Sequence, residues 1–127
     1  MQTRMVEMIF PEQANHYGTL FGGNALSLMA KAAFVAATRH VGGNVVMARS
    51  ERVDFATPIR VGEILELSSR IIGTGRSSVI VEVQGHISGA ARPVLSGRFV
   101  MVAVDASGRP KALADNIQAK GQDHENA

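Results

Sequence analysis

Hydrophobic and polar positions along this chain of 127 residues form two kinds of pattern, one typical of a helix and the other of strands. Apolar residues occupy nearly every position of Ala25–Ala37, and this run predicts a helix over Ala25–Val41 that is buried on most sides. Asn24 is the predicted N-cap. Gly42 and Gly43 end the helix, because glycine readily adopts the left-handed conformation that follows a helix C-terminus.

Runs rich in β-branched residues predict the strands that cover this helix. One precedes it, at Arg4–Phe10, and four follow it, at Val45–Phe55, Ile64–Thr74, Ser77–Ser88 and Leu95–Val104. Turn residues separate the later strands, which indicates an antiparallel meander. One apolar helix and five strands pack compactly as an α+β fold in which a curved antiparallel sheet wraps around the helix. The last strand is apolar or small on both faces, so we expect a second copy of the chain to cover the sheet.

Composition sets the broad class. Apolar residues make up 46% and charged residues 19% of the residues in this 13.5 kDa chain. This composition predicts one globular domain, residues 1–113, followed by a polar tail, residues 114–127. The chain has no cysteine and no close pair of histidines, so we expect neither a metal site nor a cofactor. No signal peptide or bilayer-spanning run is visible, which predicts a cytoplasmic protein that does not engage a membrane.

The net charge of +2 conceals an uneven distribution. The tail holds three of the 11 acids and one of the 13 bases, which leaves 12 bases and 8 acids on the predicted domain. Ten of the bases are arginine, whose forked guanidinium suits phosphate. Nucleic-acid binding would require aromatic residues between the bases, and the chain has only five Phe and one Tyr. A small phosphorylated ligand therefore fits this charge better than a nucleic acid does.

The loop Asn15-His-Tyr-Gly-Thr-Leu-Phe-Gly-Gly23 leads into the predicted helix. The backbone N–H groups of Phe21, Gly22, Gly23 and Asn24 fall at the helix N-terminus, where unpaired donors and the helix dipole favour an anion. The two glycines allow a ligand to approach the backbone closely. The alternative interpretation is a tight strand-to-helix turn without a ligand.

Three blocks of sequence and the helix between them resemble the hot-dog-fold acyl-CoA thioesterases. The blocks are Asn15–Gly23, Ser50–Gly62 and Thr74–Ser78, and the similarity spans about Met5 to Val104. The resemblance implies a central helix wrapped by a five-stranded sheet and assembly into dimers or higher homo-oligomers. It also implies hydrolysis of fatty acyl-CoA thioesters, with coenzyme A as part of the substrate. The Gly22-Gly23 end would polarise the thioester carbonyl.

One position departs from the family pattern. The family's catalytic Asp or Glu lies seven residues after the second glycine, and that position is Ala30 here. A related branch carries its acid at the position of Asn15. Three explanations remain open: an inactivating substitution, a natural acyl-CoA binder, or a water positioned by Asn15, His16 or Asn24. A loop histidine bonded to the backbone and a simple helix cap are the structural alternatives for His16 and Asn24.

A second candidate site lies in a predicted hairpin between two strands. Its guanidinium, hydroxyl groups and flexible backbone suit a phosphate or pantetheine arm. The residues are Thr74, Gly75, Arg76, Ser77 and Ser78. Arg52, together with Arg60 and Arg98, extends the predicted substrate-binding region as a basic rim. An ordinary hairpin is the structural alternative.

Three functions follow from these observations. The leading hypothesis is an acyl-CoA thioesterase, weak or disabled at Ala30, that binds its substrate across subunits. The second is a non-catalytic acyl-CoA-binding or regulatory protein. The third is a hydratase or dehydratase that uses His16, although no acid lies close to that residue in the sequence.

Overall fold

The computed structural model describes residues 2–114, so the predicted tail lies outside the described residues apart from Ala114. The element bounds agree closely with the sequence prediction. They are β1 (Gln2–Met8), α1 (Gly22–Val41), β2 (Val45–Phe55), β3 (Ile64–Thr74), β4 (Ser78–Ile87) and β5 (Leu95–Ala103), with a short 3-10 helix at Pro11–Gln13. The predicted bounds of β2 and β3 are confirmed to the residue.

The five strands form one antiparallel sheet in the order β1-β3-β4-β5-β2. The predicted meander is correct for β3, β4 and β5 but wrong for β2, which pairs with β5 instead of β3. The connection 56–63 is too long for a tight hairpin, and its main chain bonds elsewhere. The Ala56 N–H donates to Val94 O (2.9 Å), and Ile59 O accepts the Leu20 N–H (2.7 Å). The connection therefore carries the chain from one edge of the sheet to its other half.

The helix packs on the concave face of this sheet through small residues. Its buried side consists of Ala25, Met29, Ala32, Ala33, Ala36 and Ala37. A Cβ atom at Gly97 on β5 would lie 3.0 Å from Met29 Cε, which shows how closely the helix approaches the sheet. Alanines and a strand glycine thus allow the sheet to curve around α1, as the predicted α+β architecture requires.

The other side of α1 is less buried than the sequence predicts. Leu26 is 37% exposed and Phe34 is 45% exposed, although both belong to the apolar run. The prediction of a helix buried on most sides is therefore wrong for a single protomer. The physical reason is that one sheet covers only one side of a helix, so the remaining apolar side is left open.

Candidate functional site

The start of α1 is built by the loop that precedes it. The helix begins at Gly22 after Phe21, whose extended backbone (φ −64°, ψ 135°) occupies the cap position without a side-chain cap. The prediction of Asn24 as N-cap is therefore wrong, because Asn24 is already helical. Its Nδ2 instead donates to Gln13 O (2.9 Å), which ties the first turn to the loop.

Three backbone donors at this helix start have no protein acceptor among residues 2–114. The Phe21 N–H, one of the four predicted donors, bonds to Gln13 O (3.0 Å), and the Ala25 N–H bonds to Phe21 O (2.9 Å). This leaves the N–H groups of Gly22, Gly23 and Asn24 at the positive end of the helix dipole. The arrangement suits a carbonyl oxygen that gains negative charge.

Asn15, a predicted catalytic candidate, organises the loop before α1. Its Oδ1 accepts hydrogen bonds from the Tyr17 N–H (2.9 Å), the Thr19 N–H (3.2 Å) and the Thr19 hydroxyl (3.2 Å). The Asn15 N–H also donates to Thr19 O (2.8 Å). Asn15 therefore holds Thr19 in place, and its side-chain oxygen is already occupied in this structure.

His16 lies at the exposed tip of the same loop. Its ring is 4.0 Å from the ring of Tyr17, centroid to centroid, and tilted by 38°. Tyr17 is itself 78% exposed. The structure therefore does not bring His16 to the helix start, and the loop interpretation of this histidine fits its surroundings.

An apolar cavity of about 240 Å³ opens next to Gly22. Three segments form its walls: the loop before α1 with the first turn, the connection after β2, and the start of β5. The lining residues are Thr19, Leu20, Gly22, Ala25, Phe55, Thr57, Pro58, Ile59, Val94 and Leu95. None of these carries a charged side chain. The cavity thus provides apolar walls at Gly22, the first of the three residues whose backbone N–H groups are free, while Gly23 and Asn24 follow it in the same helical turn.

Sequence analysis missed most of these lining residues, although several lie in a block that it singled out. Phe55, Thr57, Pro58 and Ile59 belong to Ser50–Gly62, which the resemblance already marked. Leu95 carried no signal, because an apolar residue at the start of a strand is indistinguishable from any other core position in a sequence.

Ala30 lies on α1 but not in the cavity. It is half-buried and packs against the core. Among the described residues, no carboxylate lines the cavity. The structure therefore offers no acid in place of the one that the family pattern would put at position 30.

Backbone hydrogen bonds hold the hairpin of residues 74–78 to the rest of the fold. The Gly75 N–H donates to Ser78 O (2.8 Å), the Ala103 N–H to Ser77 O (2.7 Å) and the Leu113 N–H to Arg76 O (2.8 Å). A Cβ at Gly75 would lie 2.6 Å from Ser78 Oγ, so a side chain there would force that hydroxyl to rotate away. Arg76 is exposed. The predicted cluster of a guanidinium and hydroxyl groups is thus held on a fixed backbone.

Arg52 lies apart from that hairpin, in an irregularity of β2. The register slips by one residue between Glu51, opposite Arg98, and Asp54, opposite Ser96. Arg52 adopts a left-handed conformation there (φ 53°) and lines a polar surface groove with Asp54 and Arg98. Because of this extra residue, Glu51 and Asp54 both lie opposite outward residues of β5, although they are three positions apart in the strand.

Residues 2–114 contain no group of three or more His, Asp or Glu side chains arranged to hold a metal ion. No helix in this part of the chain has the length and apolarity needed to cross a membrane.

Fold and site together define the class: a single helix wrapped by a five-stranded sheet, with free backbone donors above an apolar cavity. Residues 17–94 match the Thioesterase superfamily, and the chain belongs to that family. An uncharacterised acyl-CoA thioester hydrolase of Zymomonas mobilis is 33% identical over 105 residues, which cover 79% of this chain and 70% of the relative.

Solved structures confirm the hot-dog fold. The acyl-CoA hydrolase of Staphylococcus aureus, in complex with butyryl coenzyme A, coenzyme A and coenzyme A disulfide, superposes with a TM-score of 0.81 at 30% identity, covering 96% of this chain and 77% of that one. A hexameric, broad-specificity acyl-coenzyme A thioesterase gives 0.88 at 26% identity, covering 96% and 95%. That second structure is of a variant in which one aspartate is replaced by alanine.

Proposed function

We propose that this chain binds an acyl-CoA thioester with its carbonyl oxygen at the start of α1 and its acyl chain in the cavity, and hydrolyses it slowly. The observation that carries the proposal is the set of three free N–H groups, of Gly22, Gly23 and Asn24, beside an apolar cavity. Backbone donors at a helix N-terminus stabilise a developing oxyanion, and apolar walls suit an alkyl chain.

The chemistry is an acyl transfer to water. A water oxygen attacks the carbonyl carbon, and the tetrahedral oxyanion rests against the free N–H groups. Its collapse breaks the C–S bond, and a proton from the water passes to the sulfur, which leaves as the thiol of coenzyme A. Oxyanion donors and binding alone sustain about 10³–10⁴-fold catalysis over water in another hydrolase. The proposal needs no cofactor beyond the coenzyme A portion of the substrate.

The missing component is the general base. A positioned base contributes about 10²–10⁴-fold in rate, and the methyl group of Ala30 cannot accept a proton. We assign position 30 as the place for that base, so turnover is expected to be slow. The absence of a carboxylate from the cavity lining within residues 2–114 favours one rival function, a protein that holds acyl-CoA without turnover.

Restoring the acid separates the two functions. We expect Ala30→Asp to release coenzyme A thiol from a panel of acyl-CoAs about 10²–10⁴ times faster than the unaltered chain does. Position 30 is half-buried, so the new carboxylate keeps contact with water and ionises. Ala30→Asn is the matched control, since it has the same shape without an acid.

Three other outcomes would contradict the proposal in different ways. Equal rates for Ala30→Asp and Ala30→Asn, with acyl-CoA still bound, identify a binding protein. Fast turnover by the unaltered chain shows that a group other than a carboxylate at residue 30 activates the water. If the unaltered chain, Ala30→Asp and Ala30→Asn all fail to bind coenzyme A, acyl-CoA is not the ligand.

Within one chain the two candidate sites lie at opposite ends of the sheet, so one coenzyme A could reach both only with its pantetheine arm fully extended along the strands. The cavity lies at the Leu95 end of the sheet, where Leu95 faces Gly85, whereas the hairpin adjoins Ser78 at the other end of β4. At strand spacing, Gly85 and Ser78 are roughly 23 Å apart. We therefore propose that a second copy supplies the hairpin to the cavity.

The exposed edge of β2 provides the geometry for this arrangement. β2 is an outermost strand, and all but three of its 11 residues are exposed. A two-fold antiparallel pairing of two copies along β2 places the Phe55 end of one beside the Val45 end of the other. Phe55 lines the cavity, and Val45 lies opposite Ala103, which bonds to the hairpin. The hexameric assembly of a structural relative supports self-association.

We place the reaction in the cytoplasm, as the sequence predicts. Reducing conditions there keep the released coenzyme A as a free thiol. Fractionation of cells that produce the protein, followed by detection of the chain, tests this location.

A further inference from the structure

Leu95, the first residue of β5, is a deeply buried part of the wall of the apolar cavity. Leu95 is 2% exposed and lines the cavity together with Ala25 and Ile59. The main chain around it is fixed, because Val94 O accepts the N–H groups of Ala56 (2.9 Å) and Thr57 (3.3 Å). Leu95 is therefore part of a rigid wall and not of a mobile loop.

The side chain of Leu95 lies over a glycine of the neighbouring strand. Gly85 is the direct partner of Leu95 in the β4–β5 register. A Cβ at Gly85 would lie 2.6 Å from Leu95 Cδ1, 2.9 Å from its Cγ and 3.1 Å from Leu65 Cδ1. Gly85 is not among the residues with a positive φ, so its backbone does not require glycine. The missing side chain serves only to make space.

We propose that Leu95, seated on Gly85, sets the length of the acyl chain that the cavity accepts. The inference rests on the proposed function, in that the cavity holds the acyl chain, and adds which residues limit it. Because Gly85 lets Leu95 lie back against β4, the cavity keeps its present depth. A side chain at position 85 would push Leu95 away from β4, and Leu65 blocks one direction, so Leu95 would move into the cavity.

The volume indicates the class of acyl group. An engineered cavity of about 150 Å³ in another protein holds benzene, which has six carbons, so about 240 Å³ holds on the order of ten non-hydrogen atoms. After the thioester atoms are allowed for, short to medium acyl chains of up to about eight carbons fit. Each further methylene that is buried strengthens binding about fourfold. Affinity therefore rises with chain length until the chain fills the cavity, and a series of chain lengths shows a maximum there.

The test compares chain-length profiles of binding and turnover. Non-hydrolysable thioether analogues of acyl-CoA, with chains of increasing length, are titrated calorimetrically into each variant. Thiol release from the matching thioesters gives kcat/KM. We expect Leu95→Ala to move the optimum to chains about two or three carbons longer, since three carbon atoms are removed from the wall. Leu95→Val, a milder change that conserves the fold, moves it by about one.

Gly85→Ala tests the other half of the pair. We expect it to weaken binding of the longest accepted chain about fourfold or more, while the shortest chain is unaffected. Leu67→Ala is the matched control, because Leu67 is fully buried and lies opposite Gly85 on the β3 side but does not line the cavity. It lowers stability without moving the optimum.

The outcomes distinguish this inference from the proposed function. If the analogues bind with a clear optimum but Leu95→Val and Leu95→Ala leave that optimum unchanged, the role of Leu95 is overturned while the proposed function stands. An optimum that moves equally in Leu67→Ala also overturns it. If no analogue binds the unaltered chain, the proposed function itself fails.

Discussion

The two ends of this sheet differ in the chemistry that they offer. At the cavity end, recognition uses backbone N–H groups and apolar walls, and no charged side chain lines the cavity. At the hairpin end, Arg76 and several hydroxyl groups project from a backbone fixed by hydrogen bonds to Ala103 and Leu113. Within one protomer, the contacts suited to a thioester therefore lie at one end of the sheet and those suited to phosphate at the other. In the proposed function, a complete site therefore combines the cavity end of one copy with the hairpin end of another.

The largest expected effect comes from removing one donor at the cavity end. Gly22 occupies the first helical position, where proline is tolerated, and Phe21 before it is extended, as a residue preceding proline must be. Gly22→Pro therefore keeps the helix while it removes an N–H that we assign to the oxyanion. We expect kcat to fall about 10²–10³-fold, measured by thiol release in the unaltered chain and in Ala30→Asp.

Gly22→Ala is the control for this change. A Cβ at position 22 would lie 3.9 Å from Phe55 Cε2, an ordinary contact, and the N–H remains. We expect its kcat to stay within a few-fold of the parent. Equal losses in Gly22→Ala and Gly22→Pro would assign the effect to crowding and remove the oxyanion role.

At the hairpin end, the expected effect is on binding. Arg76→Ala removes charge-assisted hydrogen bonds to the phosphates, so KM for acyl-CoA is expected to rise about tenfold to a hundredfold. KM for acyl-pantetheine, which lacks those phosphates, should not change. Arg109→Ala, another exposed arginine at the same end of the fold, is the control. A rise in KM for both substrates would contradict a phosphate role.

Mixing the two defective variants tests whether the ends belong to different chains. In a random mixture of Gly22→Pro and Arg76→Ala under dimer exchange, half of the dimers are mixed, and each has one site with both residues intact. We therefore expect roughly a quarter of the parent activity to return. No recovery, with subunit exchange verified by mass, would place the whole site in one chain.

Some parts of the fold could be predicted from the sequence and others could not. Strand bounds and the Gly42 terminus follow from local pattern and turn chemistry, and the structure reproduces them. The pairing of β2 with β5 does not follow, because a long connection such as 56–63 permits either edge of the sheet. The start of α1 was misplaced because Asn24 is a strong cap by residue type, whereas here its side chain bonds to Gln13.

For the site, features that depend on neighbouring residues could be predicted from the sequence, whereas features formed by residues distant in sequence could not. The glycines of the loop and the hairpin were visible in the sequence as candidate positions of close approach, and in the structure a Cβ at Gly23 or Gly75 would meet a neighbouring side chain. The cavity joins residues as distant in sequence as Leu20, Phe55 and Leu95, and no local pattern links them. Arg52 shows that residue type alone does not place a side chain: an extra residue in β2 puts it in a surface groove with Asp54 and Arg98, apart from the hairpin, and its phosphate contact stays a prediction.

The smallest expected effect concerns that arginine, which belongs to neither end. Arg52 holds a left-handed conformation that costs a residue with a side chain about 1–2 kcal/mol, whereas glycine adopts it freely. Glycine also loses more backbone entropy on folding, by roughly 0.5–1 kcal/mol. Arg52→Gly is therefore expected to raise the free energy of unfolding by up to about 1 kcal/mol, measured by chemical denaturation.

Arg52→Ala is the matched variant, since alanine removes the guanidinium but keeps the backbone strain. We expect it to leave both stability and KM for acyl-CoA nearly unchanged, in contrast to Arg76→Ala. If Arg52→Ala and Arg52→Gly both raise KM for acyl-CoA as much as Arg76→Ala does, the phosphate-binding surface extends from the hairpin along β2. The thioester and phosphate contacts are then less separated than the structure of one chain indicates. If only stability changes, and only in the glycine variant, Arg52 marks a strained bulge at the edge of the sheet and the phosphate contacts are confined to the hairpin.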